Sequence, residues 1–330
     1  LAIYKKNRIN ELTKTYNYNV SLLNSALVIN IRKIQLSNNR NKTAIINALI
    51  NKNNIDIATL KNNLNSAIQK VNVFIPEFNV NKILIKRKKG LLVGINYLNS
   101  PYGLNGCIND TNRIKELLSS YGFNDLKILT DNTVIKPTKT NILNELRNLI
   151  VNANSGDVLF FQFSGHGSWN YDKNGDETDG RDEILVSSDL QNILDDELKS
   201  VIQSNMKNGV TLIGLFDSCH SGTILDLKYN YLDSSNYNNY SENNNVTECT
   251  GNVIMISGCM DTQTSSDALI ENKYQGAMTW SFIDCINKNP NCSWRELLQN
   301  MRDLLKKKGF PQIPQLSTDS FYNIDSKVFI

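Results

Sequence analysis

The hydrophobic rhythm of the chain changes near position 88. Residues 1–75 are polar and Asn-rich, with Leu, Ile and Val returning at three- and four-residue intervals, as in IRKIQLSNNRNKTAIINALI, and with neither Gly nor Pro. That spacing gathers apolar side chains on one helical face, so a helical segment is expected. Pro76 then interrupts VNVFIPEFNV. A proline lacks the N–H a helix needs, and about 72–88 reads as an extended linker.

From Lys89 onward, short apolar runs alternate with amphipathic ones. KGLLVGINY, DLKILTD, DVLFFQFSGHG, EILVSSD, VTLIGLFDSCHSG and NVIMISGC read as strands. NDTNRIKELLSSYGF, TKTNILNELRNLIVNA, DDELKSVIQS, GAMTWSFIDCINK and SWRELLQNMRDLLKKKG read as helices, the first with Asp110 or Thr111 as its N-cap. A last extended piece lies near QIPQLST, and the stretch of about 228–250 lacks apolar periodicity, so it is expected to be a mobile loop. This β-α alternation predicts an α/β fold: a mostly parallel central sheet with helices on both faces, in a main domain 89–330. Residues 1–88 form an N-terminal helical or extended appendage.

Composition narrows the function classes. Apolar residues make up 40% and charged residues 20%, and no run approaches the roughly 18 apolar residues a membrane helix needs. A net charge of +3 is too weak a bias to imply nucleic acid, although KRKK at 86–89 is locally basic. The six cysteines (Cys107, Cys219, Cys249, Cys259, Cys285, Cys292) show neither disulfide-scaffold density nor CxxC metal spacing, so a reducing compartment is expected. The chain begins at Leu1 without an initiator Met, and it is expected to be part of a longer protein.

The candidate chemistry sits where two buried-strand runs end. His166 follows DVLFFQFSG and Cys219 follows VTLIGLFDS, so if those strands are neighbours the two side chains emerge on one rim of the sheet. A nearby imidazole raises the thiolate fraction of a cysteine and later protonates the leaving amine. The other histidine, His220, is the poorer partner because adjacent residues on an extended chain point to opposite sides.

FSGHG (163–167) and DSCHSG (217–222), joined by an acidic loop and followed by ISGC, DTQTS, DA and GAMT, resemble the metacaspases, caspase-like cysteine peptidases. The resemblance covers roughly 89–325 and implies a caspase-like sandwich. It makes His166 the base and acid and Cys219 the nucleophile, with the N–H groups of Gly167 and Cys219 as oxyanion donors. It also implies cleavage after Arg or Lys, which calls for carboxylate in the S1 pocket. The matching positions are Asp217, Asp110, Ser164 and Cys107; Asp217 is favoured because it lies two residues from Cys219, whereas Asp110 has a plain helix cap as its alternative.

The acidic loop YDKNGDETDGRDE (171–183) fails as an EF-hand, because Glu177 stands where the sharp turn needs Gly. The resemblance instead implies activating Ca²⁺ held by Asp182, Asp195, Asp196 and Asp226, carboxylates suited to a hard cation. Lys228, the one basic residue of the 228–250 stretch, is the self-cleavage candidate, with KRKK second. In this family an N-terminal segment can also lie across the cleft as a latch, and residues before 88 are candidates for that role. The expected partners are protein or peptide substrates with Arg or Lys at P1, without nucleic acid or membrane, for a cytoplasmic monomer whose sheet edge EILVSSD covers. The rival readings are a calcium-independent, paracaspase-like peptidase and a catalytically silent caspase-like scaffold.

Overall fold

The protein is described by a computed structural model, which covers residues 2–36, 41–73, 87–171, 181–219, 222, 224–231, 240–243, 246–258, 267–270, 273–320 and 322–329. Two compact units divide the chain, Leu1–Ile83 and Leu84–Ile330. The first holds two long helices, α1 (Ala2–Leu36) and α2 (Lys42–Val73), consistent with the helical periodicity. They pack on each other, and the buried Asn53 donates its amide to Asn24 Oδ1 at 3.0 Å. The expected linker falls largely on 74–86, outside the described residues.

In the second unit the elements follow as β1 (Lys88–Gly94), α3 (Cys107–Ser120), β2 (Asp125–Thr130), α4 (Lys139–Val151), β3 (Val158–Ser164), β4 (Gly167–Tyr171), β5 (Arg181–Val186), β6 (Asn192–Leu194), α5 (Asp195–Asn205) and β7 (Thr211–Asp217). The chain then forms β8 (Tyr229–Asn230), β9 (Ser241–Glu242), β10 (Asn252–Ser257), β11 (Asp267–Ile270), β12 (Lys273–Gly276), α6 (Ala277–Lys288), α7 (Trp294–Lys307) and β13 (Gln315–Thr318). The main sheet has the order β2-β1-β3-β7-β10-β13-β8-β9. Its first five strands run parallel, while β13, β8 and β9 each pair antiparallel with their neighbours.

Alternation along the parallel strands explains why helices cover both faces. Leu92, Phe160, Ile213 and Ile254 join one core with Ile114 and Leu118 of α3, Phe282 of α6 and Leu297 of α7. Their neighbours Leu91, Phe161, Leu212 and Val253 join the other, with Ile142 and Leu146 of α4 and Leu198 and Ile202 of α5. Successive strand residues point to opposite faces, and here each face meets an amphipathic helix layer.

Two expectations change. EILVSSD forms β5, but β5 pairs with β4 and β6 in a separate three-stranded sheet, so it covers no edge of the central sheet. Helix α3 starts at Cys107 and its N-cap is Gly106, so neither Asp110 nor Thr111 caps it; both already lie within its first turns. In the 228–250 stretch, β8 and β9 extend the main sheet and Tyr240 packs edge-on against Tyr229 at 5.4 Å, while 232–239 and 244–245 of the expected mobile loop lie outside the described residues. Strands two residues long leave no periodicity to read, and tyrosines supply the burial instead.

Candidate active site

The site forms where β1 leads outward to β2 while β3 leads inward to β7, a crevice beyond the carboxyl ends of parallel strands. Gly94 pairs with Ser164 and Ser164 with Asp217, so three adjacent strands end level with one another. His166 and Cys219 each stand two residues past that line. Their backbones meet at Gly167, where a side-chain carbon would collide with the carbonyl of Cys219. The second glycine of SGHG is therefore a requirement of close approach. His220 lies outside the described residues.

The imidazole is oriented by the loop after β1. His166 Nε2 lies 2.8 Å from the carbonyl oxygen of Tyr102. A carbonyl only accepts, so Nε2 carries the proton and Nδ1 is the basic nitrogen. Cys219 is half-buried, as is Cys249, whereas Cys107, Cys285 and Cys292 are buried. Burial pushes the thiols of Cys285 and Cys292 up to about 12 and about 11. Burial, then the Asp319 carboxylate, pushes Cys249 up to about 12. Such thiols stay protonated and unreactive at neutral pH.

Beside the two strand ends lie the acids read from the sequence. Asp110 on α3 accepts from the backbone N–H of Gly276 at 3.0 and 3.1 Å, and Asp217 accepts from that of Thr279 at 2.8 Å. Both carboxylates crowd the same spot: a side-chain carbon at Gly276 would collide with Asp217 and stand 2.8 Å from Asp110 Oδ2. They thus share the N-terminus of α6, whose unpaired N–H groups and dipole favour negative charge. Ser164, the register partner of Asp217, accepts from Gln162 Nε2 at 2.8 Å, and Gln162 Oε1 accepts from Thr111 at 3.2 Å. Cys107 is buried one turn before Asp110, its carbonyl accepting from Thr111 at 3.1 Å. The structure brings these four residues to one end of the sheet.

A second carboxylate group draws on β5, the start of α5 and the segment after β7. Glu183, Asp195 and Asp226 are buried, each with an oxygen within 4.8 Å of the others. Asp195 accepts from the N–H of Glu183 at 2.7 Å and of Asp196 at 2.6 Å, and Lys199 pairs with Asp226 at 3.2 Å. Burial first, then the charge of Asp226, pushes the Asp195 carboxyl up to about 7. Of the four acids read from the sequence, Asp195 and Asp226 belong to this group. Glu183 joins them, while Asp182 and Asp196 stand outside it. Alternation along β5 turns Asp182 and Glu183 to opposite faces, and Asp196 is rotated about 100° from Asp195 on α5. Three buried carboxylates facing one ammonium form a hard oxygen donor set with net negative charge, which fits a divalent cation such as Ca²⁺.

Sequence reading missed Glu183 because the acidic loop offered too many equivalent candidates. It missed Tyr102 because a backbone acceptor leaves no trace in residue type. Gly276 was visible only as the start of GAMT, with nothing to show that two acids would crowd it. Lys228 is held between Glu248 at 2.9 Å and Glu242 at 3.5 Å, so it is not displayed on a free loop.

Comparison with known proteins supplies the family. Residues 88–228 match the model of the metacaspase, peptidase C14 domain. Metacaspase-1A of Neurospora crassa is 36% identical over 292 residues, covering 72% of this chain and 64% of that protein. Metacaspase-1 of Scheffersomyces stipitis is 38% identical over 284 residues, covering 70% of each. Metacaspase-1 of Ajellomyces capsulatus is 35% identical over 291 residues, covering 72% of this chain and 82% of that one. The chain thus spans less than two thirds of the Neurospora relative. The solved structure of protein GSU0716 from Geobacter sulfurreducens shares the fold, with a TM-score of 0.56 and 22% identity over 74% of this chain and 98% of that one. With SGHG and DSCHSG on neighbouring strands and this similarity over most of its length, the chain belongs to the metacaspases.

Proposed function

We propose that the protein is a calcium-dependent cysteine endopeptidase that cleaves after Arg or Lys. His166 Nδ1 takes the Cys219 proton, and the thiolate attacks the scissile carbonyl carbon. The N–H groups of Gly167 and Cys219 receive the oxyanion, a role supported by the contact between their backbones. Collapse breaks the C–N bond, the leaving amine takes the proton from His166, and water, activated by the same imidazole, hydrolyses the thioester.

The observation that carries the reading is the meeting of Asp110 and Asp217 at Gly276, on the rim that bears both strand ends. A carboxylate has about four acceptor sites, so holding α6 is compatible with receiving a guanidinium or ammonium. Ser164 and Cys107 line the same end. Ca²⁺ at Glu183, Asp195 and Asp226 would neutralise their mutual repulsion and fix β5 against the start of α5. Self-processing at Lys228 requires the β8–β9 pairing to open, since that side chain is tied to two glutamates. The segment before residue 88 is proposed to restrain access, and its deletion should raise the rate on a small substrate.

The test is hydrolysis of Arg-amide, Lys-amide and Asp-amide fluorogenic peptides, with Ca²⁺ and with excess chelator, by wild type and by Cys219→Ala. Turnover of the basic peptides in Ca²⁺ alone is expected. Full turnover in chelator defeats the calcium requirement, and no turnover in Ca²⁺ favours the silent scaffold. Asp217→Asn should lower kcat/KM for Arg by about 10- to 100-fold.

A further inference from the structure

Tyr97 lies three residues past β1, with φ of 52°, a left-handed conformation that costs a non-glycine residue free energy. Its neighbours hold it there. Asp131 accepts from the N–H groups of Asn96 at 2.6 Å and Leu98 at 3.2 Å, and Asn96 Oδ1 accepts from Ile108 N at 3.2 Å. Only 2% of the Tyr97 surface is exposed. Burial raises its hydroxyl pKa, so the proton stays in place.

That hydroxyl donates to the carbonyl of Val186 at 2.7 Å and accepts from the backbone N–H of His166 at 2.8 Å. Val186 N–H in turn donates to the His166 carbonyl at 3.0 Å. The tyrosine ring also lies against the imidazole, with centroids 4.6 Å apart and planes inclined by 35°. His166 is therefore held at its N–H, at its C=O and on one ring face, while Tyr102 holds Nε2.

We propose that Tyr97 is a positioning residue for His166: its hydroxyl locks the histidine backbone to β5, and its ring sets the imidazole plane. The assignment rests on His166 being the base in the reading above. It also gives β5 a second task, because the strand that carries Glu183 carries Val186 three residues later, in contact with both Tyr97 and His166. An aromatic core residue without this task would affect stability alone.

The experiment is Tyr97→Phe in the full chain with Ca²⁺ present. On an Arg-amide peptide, kcat is expected to fall roughly 10- to 100-fold with KM within about twofold. A second readout needs no turnover. The chain has two histidines, so His220→Gln leaves His166 as the sole imidazole, and its ring ¹⁵N spectrum reports the tautomer. The Nε2–H fraction is expected to fall in Tyr97→Phe.

A folded Tyr97→Phe with unchanged kcat and unchanged tautomer overturns the proposal. If that variant does not fold, Gly165→Ala carries the test, because the added carbon would stand 2.8 Å from the Tyr97 hydroxyl while the tyrosine remains. The same two readouts then decide in the same sense. A wild type without turnover on Arg or Lys peptides defeats the peptidase reading, and the spectrum still decides the positioning role.

Discussion

The dyad rim and the buried carboxylate group lie on the same domain, yet they are assembled by opposite means. His166 and Cys219 are set by the register of two parallel neighbours, β3 and β7, and by a glycine that admits a carbonyl. Glu183, Asp195 and Asp226 come from three separate segments and repel one another. Asp226 holds a left-handed φ of 45° to take part. One site is stable because the sheet is; the other carries a like-charge repulsion that a bound cation would relieve. The repulsive cluster sits on the strand that grips His166, so a cation bound there would be felt at the rim.

The sharpest way to separate the two regions is Cys219→Ala. It should reduce kcat/KM by about 10⁴-fold or more, with the thermal midpoint nearly unchanged and the calcium-induced rise in that midpoint intact. Gly167→Ala should come next. It forces the Cys219 carbonyl away, and a loss of activity of about 10²-fold or more is expected, with about 1–3 kcal/mol of destabilisation in a denaturant titration.

Breaking the other side of the comparison means removing charge from the carboxylate group. The Asp195 carboxyl is raised in the folded state, by burial first and by Asp226 second, so its protonated form is favoured by folding. The stability it contributes is full below about pH 4 and is lost as pH rises through about 7. The calcium-free protein should therefore lose several degrees of thermal midpoint over that window, and saturating Ca²⁺ should restore them at pH 7. Asp195→Asn should flatten the pH dependence and abolish the calcium response; a variant that keeps a full response would remove Asp195 from the site. The smallest effect is expected from Cys249→Ala, which loses a hydrogen bond to Asp319. It should cost about 1 kcal/mol of stability and leave kcat/KM within about twofold.

Legibility in the sequence followed the same division. The inner parallel strands were readable because runs such as DVLFFQFS and VTLIGLFD are buried on both faces and need no partner to look apolar. The helices α6 and α7 were readable from their periodicity, and in α7 Ser293 and Glu296 form a capping pair that the structure adds. The hairpin β11–β12, the pair β8–β9 and the strands β4 and β6 that flank β5 were not, since such short strands carry little period and are fixed by what they pair with. Asp110 shows the limit most plainly. Its place at the start of a helix suggested a cap, and only the approach of Gly276, 166 residues later, gave its carboxylate another partner.

By itself the sequence determined the class of fold, the order of the parallel strands and of the helices between them, and the residue types that chemistry on a basic peptide would need, because each depends on local periodicity or on motif. The tertiary structure decided which of these residues meet. It chose Glu183 over Asp182 through the alternation of β5, turned Asp110 from cap to partner of Gly276, and set Tyr97 and Tyr102 around His166. The reason is physical: a carboxylate, a carbonyl or a hydroxyl takes its role from the donor or charge that reaches it, and that reach is a property of packing across distant segments.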